Sequence, residues 1–193
     1  RPRYAMTARP PSPHSLVTPS GQSLASPSGC ALGSLKPKDY LQTPPWVYEP
    51  LGDIDLDPCA ALDTKIGTVN YAIERGEDGL RLDWRGFVYC NPPFSRKGEW
   101  AAKMKEHGNG ILILPERGSA PWFGPLALAC GRYFVMGKKI NFIGGPSSNN
   151  LGSVLFPFGD LAVTRITESG LPGHFVTVES YRPRGHNKEI SDG

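Results

Sequence analysis

Phe87-Val88-Tyr89-Cys90-Asn91-Pro92-Pro93-Phe94 is the stretch that decides how this chain is read. Its first four residues are apolar without alternation, the pattern of a short strand covered on both faces. Asn91-Pro92-Pro93 stops that strand, because two consecutive prolines fix φ and offer no N–H to a ladder. The spacing predicts a buried strand that opens directly into a stiff loop.

Read alone, the tetrapeptide Asn91-Pro92-Pro93-Phe94 is compatible with a turn that merely ends a strand. It also suits one kind of chemistry. The lone pair of an aromatic amine is delocalised into its ring, so the nitrogen is a poor nucleophile until its hydrogens are held and it turns pyramidal. The Asn91 side-chain oxygen and the Pro92 carbonyl are two acceptors for those hydrogens, on a loop that Pro93 stiffens. Phe94 can stack on a base drawn out of its duplex. A neutral amide takes up no proton near pH 7, so Asn91 would position and not act as a general base. This chemistry requires no metal.

Outward from the loop, strands alternate with short helices. Asp53 to Asp57 alternates polar with apolar residues and meets Pro58, predicting a strand end; Thr68 to Ile73 predicts a second strand. Thr43-Pro44-Pro45-Trp46 reads as a helix start, with Thr43 as N-cap and Pro44 at the first helical position, ending near Leu51-Gly52. Trp100, Met104 and His107 recur at helical spacing up to Gly108. Ile111 to Leu114 is a strand ending at Pro115, and Ser119 caps a helix to Cys130 that Pro125 would bend. After it, Arg132–Met136, Lys139–Ile143, Val154–Phe158 and Phe175–Val178 read as strands with no helix between them. The predicted fold is α/β: a mostly parallel sheet covered on both faces, with antiparallel C-terminal edge strands.

The 193 residues, 39% hydrophobic and 20% charged, suffice for one well-buried domain. A formal charge of +3 permits a polyanionic partner without demonstrating one. Four cysteines, Cys30, Cys59, Cys90 and Cys130, show no CxxC spacing, which argues against a zinc site or a disulfide framework and for a reducing interior. No apolar run approaches the length of a membrane span or a signal peptide, so a cytoplasmic protein without membrane contact is expected. Residues 1–37 are crowded with Pro, Ser, Gly and Thr and predict a disordered arm, residues 38–180 the folded domain, and residues 181–193 a flexible tail.

Several motifs stand in order around the central loop: Thr43-Pro44, Asp57-Pro58-Cys59-Ala60, Leu82-Asp83-Trp84, Asn91-Pro92-Pro93-Phe94, Trp100, Leu112-Ile113-Leu114-Pro115, Trp122-Phe123 and Gly137-Lys138-Lys139-Ile140-Asn141-Phe142. Their types and order resemble the phage-type DNA N6-adenine methyltransferase (Dam) family over roughly residues 40 to 158. That resemblance implies a Rossmann-like sheet, S-adenosylmethionine as cofactor, DNA as partner, transfer of a methyl group to adenine N6, and a bacterial or phage-infected cytoplasm. Monomer and weak dimer are both left open.

Carried over position by position, the resemblance puts Asp57, within Asp57-Pro58-Cys59-Ala60, at the methionine end of the cofactor, where a carboxylate can accept from the ammonium group. Thr43 and Pro44 would line the same end, and Asp83 would meet the adenosine portion. Plainer readings stay beside these: Asp57 and Thr43 as caps, and Asp83 as a solvated turn residue. Arg96, Lys97, Arg117, Lys138 and Lys139 are candidate DNA contacts or ordinary solvated charges. Cys59 and Cys90 are expected to be small, reduced core residues. Two further readings keep the loop and change the function: methylation of cytosine N4, RNA or a protein glutamine, and nucleic-acid binding without catalysis.

Overall fold

The computed structural model describes residues 41–144 and 151–176, so the predicted arm, the predicted tail and Cys30 lie outside the described residues. Among those described, the strands are β1 (Leu56–Asp57), β2 (Val69–Asn70), β3 (Val88–Cys90), β4 (Gly110–Pro115), β5 (Arg132–Val135), β6 (Ser153–Phe158) and β7 (Gly173–Val176). They make one sheet in the order β2-β1-β3-β4-β6-β5-β7. Neighbours from β2 to β4 are parallel, whereas β4–β6, β6–β5 and β5–β7 are antiparallel pairs. It follows that β5 runs with the parallel set and that β6 and β7 oppose it. The expected parallel α/β sheet with antiparallel C-terminal strands is the architecture found.

Helices cover both faces: α1 (Pro45–Tyr48), α2 (Lys97–His107), α3 (Phe123–Ala129) and α4 (Asp160–Glu168). The period-two alternation of β3 sends Val88 and Cys90 into one apolar layer with Trp100 and Met104 of α2, and Phe87 and Tyr89 into the opposite layer with Val47 and Ile166. The whole of β4 and β6 is buried, which explains their unbroken apolar sequences. Gly110 is where β4 presses on β3. A Cβ there would lie 2.2 Å from the Val88 carbonyl oxygen, and its φ of +153° disfavours any side chain. On α2 the predicted close is found, with Gly108 at φ 72° and its N–H on the Met104 carbonyl.

Four local expectations are corrected. The C-terminal strands are not free of helix, because α4 joins β6 to β7, burying Ala162 and Ile166. Lys139–Ile143 forms no strand; only Ile143 pairs, in an isolated antiparallel bridge to Gln42, since the segment leaves a positive-φ Gly137 and reaches another at Gly144. Thr43 is no cap: Pro44 occupies that position and Pro45 begins α1, placing the Thr43 hydroxyl in the interior. α3 begins at Phe123 and not at Ser119, so Pro125 sits in its first turn, where no intrahelical hydrogen bond is lost and no bend results. No helix among the described residues is long and apolar enough to cross a membrane.

Candidate active site

β1 and β3 are paired neighbours, Leu56 opposite Val88, so the loops after Asp57 and Cys90 leave the sheet side by side at its carboxyl edge. Asp57 and Asn91 line one small hollow with Leu41, Gln42, Thr43 and Cys59. Leu41, Cys59, Ala60 and Ala61 also border a larger cleft, walled by Pro58, Tyr71, Ile73, Pro93 and Trp100 and rimmed by Glu74, Glu77, Asp78 and Arg96. The two spaces adjoin, and the two key strand ends meet in them.

Asp57 is 4% exposed, and the Cys59 N–H donates to its Oδ1 at 3.1 Å. No helix lies between β1 and β2, so this is a turn and not the cap of a helix. Burial is the larger influence on the carboxyl and pushes it up to about 7, against the lowering effect of the Cys59 hydrogen bonds. Among the described residues no lysine or arginine is paired with it. The site therefore contains a buried acid with no cationic partner among the described residues.

The surroundings of Asp57 are fixed by β3. Tyr89 donates its hydroxyl to Thr43 Oγ1 at 3.3 Å, and burial pushes the phenol up. Cys59 and Cys90 are free, with their sulfurs 3.5 Å apart, and burial raises both thiols well clear of neutrality. They remain protonated and pack the junction of the two strand ends.

Asn91 points its amide nitrogen at the Leu41 carbonyl oxygen, 2.9 Å away. Pro92 is buried, Pro93 is half-buried in the cleft wall, and Phe94 is half-buried just after it. Lys97, in the first turn of α2, donates to the Phe94 carbonyl at 2.7 Å and lies 5.8 Å from the centre of the Trp122 ring. Arg96 grips Glu99 through two hydrogen bonds of 2.9 and 2.8 Å. Arg117, Lys138 and Lys139 are exposed beyond the carboxyl ends of β4 and β5, on the same edge of the sheet. Lys138 rests 4.1 Å from the centre of the Trp46 ring.

Asp83 is exposed and lies outside the cleft; its backbone carbonyl accepts the Tyr71 hydroxyl at 3.0 Å. The acids that do line the cleft, Glu74, Glu77 and Asp78, escaped the sequence reading. Their signal was their place just after the second strand of a parallel sheet, where acids commonly meet ribose hydroxyls. Glu77 is committed to Arg75 at 2.8 Å and to the Ala72 N–H, and Asp78 accepts the Leu80 N–H, so this turn is braced from within. Gly79 seats it: a Cβ would fall 1.8 Å from the Pro58 carbonyl oxygen and 3.1 Å from the Trp100 ring.

A family model described as DNA N-6-adenine-methyltransferase (Dam) matches residues 34–166, a range running from before α1 into α4 and holding both strand ends. No curated protein and no solved structure matches the chain. The match covers most of the sequence and all of the cleft, and the parallel sheet with its reversed C-terminal strands is the framework such chemistry uses; the chain belongs to the DNA N-6-adenine-methyltransferase (Dam) family, enzymes that methylate adenine N6 in DNA.

Proposed function

We propose that methyl transfer to adenine takes place where the ends of β1 and β3 meet, with S-adenosylmethionine held on the Asp57 side and the base on the Asn91 side. The observation that carries this reading is the shared hollow of Asp57 and Asn91, an acid without a cation facing an amide whose oxygen is available. The residues present suit the cofactor. Its ammonium group complements the buried Asp57 carboxylate, with Thr43 and Pro44 beside it. Its ring suits the walls formed by Tyr71, Ile73 and Trp100, and its hydroxyls suit Glu74 and Asp78. When bound, it supplies a methyl group on a positively charged sulfur.

The chain's own residues prepare the acceptor. Asn91 Oδ1 and the Pro92 carbonyl accept the two amino hydrogens of adenine, so its nitrogen turns its lone pair toward the methyl group. Phe94 stacks on the extruded base, and Lys97 steadies the Phe94 carbonyl. After transfer the nitrogen is acidic and gives its extra proton to water. Arg117, Lys138 and Lys139 line the edge that DNA would approach, with Arg96 and Lys97 nearer the base. This reading goes with a setting in the cytoplasm of a bacterial or phage-infected cell; no helix among the described residues is long and apolar enough to cross a membrane.

The test is Asn91→Ala. Methyl transfer should fall by about 100-fold or more, the loss typical of one transition-state hydrogen bond and its alignment. Cofactor affinity by calorimetry should stay within a few-fold. Mass spectrometry of digested product DNA should find N6-methyladenine and no N4-methylcytosine. Near-normal activity of the alanine variant would sink the assignment of Asn91.

A further inference from the structure

We propose that Leu41 is a positioning residue: its carbonyl, held by the Gln42–Ile143 bridge, takes up one amide hydrogen of Asn91 and so fixes which end of that amide faces the target base. This deepens the reading above and rests on it.

A carboxamide has two ends of similar shape and opposite hydrogen-bonding character. A base whose amino group must be held by an acceptor needs the oxygen end. Rotation by half a turn would present NH2 to NH2, and the site would repel its own substrate. The Leu41 carbonyl can only accept, so the group facing it at 2.9 Å is the Asn91 nitrogen whatever else is bound. The oxygen is left for the base.

That carbonyl is itself anchored. Gln42 donates its N–H to the Ile143 carbonyl at 3.0 Å, and Ile143 donates to the Gln42 carbonyl at 2.9 Å, a closed pair of antiparallel bonds. Thr43, the next residue, is fixed from β3 by Tyr89. Ile143 terminates the segment that begins with Lys138 and Lys139, so the strap runs from the edge DNA would approach to the catalytic amide. Leu41 and Gln42 line the hollow itself.

A carboxylate at position 91 would meet the Leu41 carbonyl oxygen with an oxygen and be turned away, whereas a protonated carboxyl could donate there and keep one acceptor free. Asn91→Asp should therefore work better when neutral. Other groups near this position titrate or carry charge: Asp57, Cys59, Cys90 and Tyr89 from the strand ends, Arg96 just before α2 and Lys97 at its start, and Lys138 and Lys139 along the strap's far end. The ratio of variant to wild-type rate at saturating cofactor and DNA cancels what they share. That ratio should rise about tenfold or more from about pH 8.5 to about pH 5.5. A ratio that is flat, or that rises with pH, or a folded variant silent at every pH overturns the proposal.

Ile143 offers a second test, because its side chain is half exposed and only its backbone serves the strap. Ile143→Pro removes the N–H, and should lower kcat about tenfold with KM for S-adenosylmethionine unchanged within a few-fold. Ile143→Ala keeps the N–H and should restore kcat; equal activity of the two variants overturns the strap. Asn91→Ala separates the failures. If it stays active, the assignment of Asn91 falls, and if it is inactive while these contrasts are absent, only the strap does.

Discussion

The parallel and antiparallel halves of the sheet are built to different rules. β1, β2 and β3 are two or three residues long, and each ends in a loop at the cleft or beside it. β4 and β6 pair over six residues in unbroken register, with both faces buried. Short strands bring polar side chains such as those of Asp57, the last residue of β1, and Asn91, just past β3, to the carboxyl edge of the sheet. The long buried strands carry one polar side chain, Ser153 at the start of β6, and supply apolar area that offsets the cost of burying polar groups elsewhere. The proposed chemistry lies at the ends of the short strands, while the long ones form the longest buried pairing of the sheet.

The largest effect that division predicts is in β6. Phe156 is fully buried and meets Phe123 edge-on at 5.5 Å, so Phe156→Ala should cost about 3–5 kcal/mol in urea unfolding. Activity per folded molecule should be largely kept. A stable but inactive variant would break the comparison.

Next comes Asp57→Asn, where the two halves should respond in opposite directions. Cofactor affinity should drop by about 2–3 kcal/mol, the worth of a charge-assisted contact, while stability at neutral pH rises. The sign follows from the carboxyl's titration near 7 in the folded chain against about 4 unfolded. Between those values the folded state holds the extra proton, so its stability falls as pH rises through the window, and the asparagine variant lacks that slope. Capture of an ammonium group needs the ionised form. Cofactor binding should therefore tighten as pH rises toward 7, by at most about tenfold per unit, and level off above it, as read by calorimetry.

How much of this was visible in the sequence follows the same division. Ile111–Leu114 and the Asn91 loop were legible because an unbroken apolar run, and a proline pair after one, each have few structural solutions. α4 was not, since Val163, Thr164, Ile166 and Thr167 are β-branched and lower the helical signal, and only Ala162 and Ile166 are buried. Lys139–Ile143 looked like a strand because Ile140 and Phe142 alternate with polar residues, yet only Ile140 is fully buried, with Phe142 packed half-buried against the same layer and Ile143 half exposed. In the site, Asp57 and Asn91 stood out beside prolines at strand ends. Glu74 and Asp78 lie in a turn whose position depends on Gly79 meeting Pro58, a contact between residues far apart in the chain.

The smallest predicted effect concerns the outer edge. Lys138→Ala should lower the slope of log affinity against log salt by about one, with kcat at saturating DNA unchanged. Arg96→Ala should change that slope less, because Glu99 already engages this guanidinium. Equal losses would show that the Glu99 pair opens on DNA.

The contact between Gly79 and the Pro58 carbonyl also limits how the protein can be altered. It sets backbone against backbone, so substitution at position 79 cannot deepen the floor of the larger cleft and a side chain there would close it. Capacity for a bulkier cofactor analogue has to come from the walls, at Tyr71 and Trp100, where trimming a ring opens space without moving the strand end that carries Asp57.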